Sequence, residues 1–128
     1  MLEDGYNIYF QEYGKNYRIM KIIYNNIIPP RGYKAITILN VIFVRKGLVM
    51  RDKDINHENI HWEQEKELLI VGFYLLYVIE FIVRLLAIRN WHKAYRSISF
   101  ERECYANERN LGYIGSRKHY SWTKYIKQ

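Results

Sequence analysis

The sequence predicts a mostly helical α+β domain. Three observations carry that prediction. Ala35 to Arg45 is rich in Ile, Val and Thr and lacks Pro and Gly, as a strand requires. Asp52 to Ile88 holds one Gly and no Pro, and acids crowd its start, as a helix N-terminus favours. Ser97 to Leu111 is a further stretch without either breaker. The chain has 128 residues, 49% apolar and 26% charged, which is about one domain with one core.

The elements follow in order. Residues 1–19 are polar, Tyr-rich and non-periodic, and are expected to be a peripheral N-terminal extension; the functional domain is expected over 20–128. Pro29-Pro30 and Gly32 mark a turn. Residues 35–45 read as one strand, or as two short ones bent near Asn40. A helix is expected from about Asp54 to the high 60s, with Asp52 or Asp54 as its cap. A second helix, or a continuation, runs from Gly72 to Ile88 and breaks at Arg89-Asn90. Residues 97–111 form another helix, with Ser97 or Ser99 as cap, and the tail from Ser116 is expected to be one short amphipathic helix.

The first helix carries His57-Glu58-Asn59-Ile60-His61, an HExxH motif. His57 and His61 are four residues apart and share a helix face, so both imidazoles can reach one ion. Glu58 is rotated by about 100° and is placed to act as general base on a metal-activated water. Two His supply two of the three protein ligands that a catalytic Zn²⁺ uses. Gln64 lies three residues after His61 on the same face, where it can support a ligand or meet substrate.

A third ligand must come from elsewhere. Glu80 is 19 residues after His61, about 28 Å along a continuous helix, and an i,i+4 pair with Arg84 suits it better. Only a sharp turn at Gly72 would bring it back. Glu101 and Glu103 lie on a separate helix, about 200° apart, so one of them at most can ligate.

Here the sequence resembles the gluzincins, in which HExxH is followed by a helix bearing Glu-x-x-small-Asp/Asn. Glu101-Arg-Glu-Cys104-Tyr105 has the small residue but Tyr in the last place; Glu103-Cys-Tyr-Ala106-Asn107 has both. The wider blocks NHENIHWEQ, FYLLYVIEF, AYRSISFERECYANE and RKHYSWTKYI resemble small HExxH zinc-peptidase-like proteins of Bacteroides-type bacteria and their phages. The resemblance covers about residues 20–126. It implies a minimal zincin-like metal-binding domain with a short β-sheet flanking the HExxH helix. It further implies Zn²⁺ on His57, His61 and Glu101, with Glu103 as the alternative, and Asn107 supporting a ligand His from behind. The usual Asp after the ligand glutamate is missing.

Leu68 to Ile88 is apolar nearly all round, interrupted by Glu80 and Arg84. It is either a central buried helix or one that contacts a membrane surface. Tyr74, Tyr77, Trp91 and Tyr95 are core aromatics in the first case and interfacial ones in the second. The 20 Lys and Arg outnumber 13 Asp and Glu, giving +7, and no acid lies between Phe81 and Phe100. That bias suits an anionic membrane surface; no nucleic-acid module accompanies it, so no nucleic-acid partner is expected. One Cys excludes a disulfide framework, and the start of the chain lacks a basic-then-apolar leader, so a cytoplasmic location is expected, at or away from the membrane face. Cys104 is expected to be a small buried residue, and His92 and His119 are candidates for stabilising an oxyanion.

The leading expectation is a zinc-dependent peptidase acting on a peptide or protein. The competing one is a degenerate zincin-like module that binds a partner or a membrane. Substrate and oligomeric state are left open.

Overall fold

A computed structural model describes the backbone of residues 6–13 and 16–127, with side chains from Lys21 onward. The fold is α+β and mostly helical. Among the described residues the strands are β1 (Tyr6–Tyr13), β2 (Asn16–Asn25), β3 (Ala35–Ile38) and β4 (Val41–Arg45). The helices are α1 (Asp52–Glu67), α2 (Val71–Ile88), α3 (Trp91–Ser97), α4 (Ser99–Asn107) and α5 (Tyr113–Ser116), and a 3-10 turn covers Ser121–Tyr125.

The sheet order is β1-β2-β4-β3. β1 runs antiparallel to β2, with Tyr6 opposite Ile23. β2 runs parallel to β4, with Lys21 opposite Val41. β3 and β4 form a hairpin, Ile38 opposite Val41, so the bend expected near Asn40 is a two-residue turn with Leu39 at φ 57°. The boundary expected near residue 19 falls inside β2, and β1 adds an edge strand to the sheet. Residues 1–5, 14 and 15 of the expected extension lie outside the described residues. Asn25 shapes the return from β2: its Oδ1 accepts from the Ile27 and Ile28 N–H groups, and its Nδ2 donates to the Ile28 carbonyl.

Arg51 precedes α1. The acid three residues on does not cap the helix; Asp54 instead reaches back to accept from the Arg51 N–H (3.0 Å) and pairs with Lys34 (2.6 Å). α1 lies against the sheet face formed by Ile22, Ile42 and Val44, which pack with Ile55. A second apolar cluster joins Phe73, Ile98 and Phe100, with Trp122 and Tyr95 packed on it.

Between the two clusters α1 is polar. Seven of its nine buried residues are polar. The helix is tied to its neighbours by hydrogen bonds, Thr37 to Glu58, Asn56 to the Glu108 carbonyl and Gln64 to the Phe100 carbonyl, rather than by an apolar stripe alone.

The chain reverses between α1 and α2 at Leu69 (φ 55°) and Ile70 (φ 67°), just before Gly72. Even so Glu80 does not reach the motif. It accepts from the Ser99 N–H (2.8 Å) and Oγ–H (2.6 Å), partnering the first turn of α4, and takes Arg84 at 3.3 Å. Neither Ser97 nor Ser99 caps α4 by its own side chain; Ile98 is the N-cap. α2 is not a central buried helix: Phe73 is its buried residue. The tail is not one helix but α5 followed by the 3-10 turn.

Candidate metal centre

α1 brings His57 and His61 onto one face, ring centroids 5.0 Å apart. α4 supplies Glu101 opposite them. Glu101 Oε2 lies 3.1 Å from His57 Nε2, and Glu101 Oε1 lies 3.0 Å from His61 Nε2. All three residues are buried. The structure thus separates the two glutamate registers. Glu103 points the other way and is fully buried. It takes Arg117 Nε at 2.6 Å and Nη2 at 2.9 Å, and the Tyr113 hydroxyl at 2.7 Å. Arg117 also pairs with Glu67.

The other nitrogen of each imidazole has a defined partner. His57 Nδ1 meets Glu108 Oε2 at 2.8 Å, and His61 Nδ1 meets Gln64 Oε1 at 2.9 Å. The Gln64 amide orientation is fixed by its other end: Nε2 donates to the Phe100 carbonyl (3.1 Å) and to Glu103 Oε1 (2.9 Å), both acceptors only. Each Nδ1 therefore faces an acceptor and carries the proton in a neutral ring. In the neutral form that a metal would require, each Nε2 is left to offer its lone pair on the Glu101 side, the arrangement that a metal-binding imidazole uses. The donor set, two imidazoles and a carboxylate of one open cluster, fits a divalent ion such as Zn²⁺.

The support for His57 comes from an unexpected place. Asn107 supports neither His57 nor His61; its Nδ2 donates to the Glu103 carbonyl (2.8 Å) and to the Tyr125 hydroxyl (3.1 Å). Tyr105, four residues after Glu101, lays its ring edge-on to His57 at 4.7 Å, under the Arg96 guanidinium. Glu108, seven residues after Glu101, returns to the same helical face and takes the role. That i,i+7 spacing is the signal by which the sequence could have shown it. Cys104 is buried as expected, yet its Sγ lies 3.5 Å from His61 Nδ1, and His57, His61 and Cys104 form a second cluster with ligand atoms within 4.8 Å. Burial, with Glu101, Glu103 and Glu58 nearby, pushes the metal-free Cys104 thiol far up.

Charge is concentrated here. Burial works against a charged His57, but Glu101 and Glu108 outweigh it and raise His57 to about 10. His61 moves the same way, burial being overcome by Glu101. Burial alone would raise Glu101, yet His61 and His57 hold it well below the usual carboxylate range. Without a metal, the Glu101 carboxylate between the two rings favours the charged form of each.

Glu58 is buried, and its Oε2 accepts from Thr37 Oγ1 at 2.7 Å, which ties it to strand β3. It stands where two pockets meet. One, about 330 Å³, is lined by His61, Glu101, Phe73, Tyr74, Tyr77 and Phe81 among others, and is largely apolar. The second, about 390 Å³, is polar and includes Lys34, Arg51, Lys53, His92 and Arg96. Tyr77 donates to Glu101 Oε1 at 2.8 Å; burial and Glu101 push its phenol well above the usual value, so it remains a donor. Tyr74 donates to the Thr37 carbonyl at 3.2 Å and contacts Glu65, whose carboxyl burial pushes up to about 7. His92 lines the polar pocket, while His119 is largely exposed beside Glu67 and lines neither.

No family model, no curated protein and no solved structure matches the chain.

Proposed function

We propose that the chain is a zinc-dependent metallopeptidase of minimal zincin type. The observation that carries this is the convergence of His57 Nε2, His61 Nε2 and Glu101, each imidazole anchored from behind by an acceptor on Nδ1. A Zn²⁺ held by these residues would polarise a scissile carbonyl and lower the pKa of the attacking water. Glu58 is the general base. Thr37 occupies its Oε2, leaving Oε1 to take the water proton and return it to the departing amine. Glu108 and Gln64 hold the imidazoles in orientation, and Tyr77 steadies the Glu101 carboxylate.

β3 is an edge strand and lines the apolar pocket beside Glu58. An extended peptide can lie along it, with a large apolar side chain in the pocket of Phe73, Tyr74 and Tyr77. The test is zinc content and hydrolysis of a mixed peptide library, compared with Glu58→Gln. The reading expects about one zinc per chain in both proteins and loss of about 10²-fold or more in cleavage in the variant. Zinc in both with no cleavage by either contradicts the peptidase and leaves a metal-holding binding module; no zinc in either contradicts the centre.

A further inference from the structure

The helix that walls the apolar pocket has a second face. Its inner face belongs to the protein: Phe73 packs with Ile98 and Phe100, Tyr77 bonds Glu101, Glu80 bonds Ser99, and Arg84 donates to the Ile126 carbonyl at 2.7 Å. Its outer face is a stripe at helical spacing. Val71, Leu75, Ile79, Ile82, Val83 and Leu86 are between 48% and 76% exposed. The stripe runs about 22 Å. The 18 residues of α2 have a mean hydropathy of 2.1. Both charges of the helix, Glu80 and Arg84, are bonded on the inner side. A continuous apolar surface of this kind marks a docking site.

Charge identifies the occupant. Arg89 and Lys93 are exposed just past the end of α2, and Lys124 and Lys127 are exposed on the tail segment that Arg84 ties to it. The chain carries +7. A second copy would bring the same positive charge, whereas an anionic lipid surface is attracted. We propose that α2 docks flat on an anionic bilayer, with the outer stripe in the acyl boundary and Arg89 and Lys93 among the head-group phosphates. The helix does not span, because its inner face carries Glu80, Arg84 and the wall of the metal site. Phe73, Tyr74, Tyr77 and Phe81 line the pocket from that inner face, so docking sets the pocket beside the membrane surface. This inference stands independently of the peptidase reading.

The test is flotation of the purified 128-residue chain with phosphatidylcholine vesicles, with and without phosphatidylglycerol. The chain is expected to float with the anionic vesicles, to be released by alkaline carbonate, and to bind about tenfold less as salt rises from low to high. Leu75→Gln/Val83→Gln/Leu86→Gln is expected to weaken binding by about tenfold or more, with the circular dichroism spectrum unchanged. Arg89→Gln/Lys93→Gln is expected to lower binding to anionic vesicles by several-fold and to leave the fold intact, which keeps the test decisive should the triple variant not fold. A wild-type chain that never floats would overturn the proposal. So would retention after carbonate, which means spanning, or a dimer that the triple substitution dissociates while vesicles stay empty.

Discussion

Glu108 is the residue through which the centre departs from its sequence pattern. Its carboxylate holds His57 Nδ1 at 2.8 Å, where the motif places an acid four residues after the ligand glutamate. Glu108→Gln is expected to keep the fold and weaken zinc binding by about 10- to 100-fold, measured by competition with a chelating dye. Protonation supplies a second prediction. Without metal Glu101 favours the charged form of both imidazoles, so zinc must displace protons. Titration calorimetry in buffers of different ionisation enthalpy is expected to show proton release near neutral pH, and affinity that rises with pH. The metal-free fold responds in the opposite sense. His57 moves from an ordinary 6.5 up to about 10 on folding, so its stabilisation is complete below 6.5 and is lost as pH rises through about 10. The urea midpoint of the metal-free protein is expected to fall across that window; a midpoint that rises there contradicts the arrangement of Glu101 and Glu108 around His57.

At the scale of elements, α4 is positioned at its start and at its middle. Glu80 partners its first turn through Ser99, and Glu103 anchors its middle through Arg117. Glu80→Ala is expected to cost about 1 kcal/mol in urea unfolding. Arg117→Met leaves the Glu103 and Glu67 carboxylates buried without their cation, and is expected to cost about 3 kcal/mol or more. α1, the β3–β4 hairpin and α2 were legible because apolar runs, β-branched residues and breakers mark them. α3 was not, since seven residues, WHKAYRS, carry no apolar period; its signal is Asn90, whose Oδ1 accepts from the Lys93 N–H. β1 was passed over because polar residues interleave its Tyr, Ile and Phe, and the parallel pairing of β2 with β4 leaves no local mark. Glu101 over Glu103 could not be decided from spacing, because the choice depends on which face of α4 meets α1.

For the whole molecule, two small apolar clusters sit either side of a buried polar centre, so a metal bound at that centre would add directly to stability. Zinc is expected to raise the unfolding temperature, and a chelator to lower it, in proportion to the logarithm of free zinc. The same centre has an apolar pocket on one side and a polar, basic one on the other, with Glu58 between them. Its position rests on two elements far apart in sequence, α1 and α4, meeting at His57, His61 and Glu101. The most direct test is a crystal structure of the zinc-soaked protein with anomalous scattering recorded above and below the zinc edge. A single peak within about 2.0–2.2 Å of His57 Nε2, His61 Nε2 and a Glu101 oxygen is the expected result. A peak bound instead to Cys104 Sγ and His61 Nδ1, or the absence of any peak near His57 and His61, would contradict it.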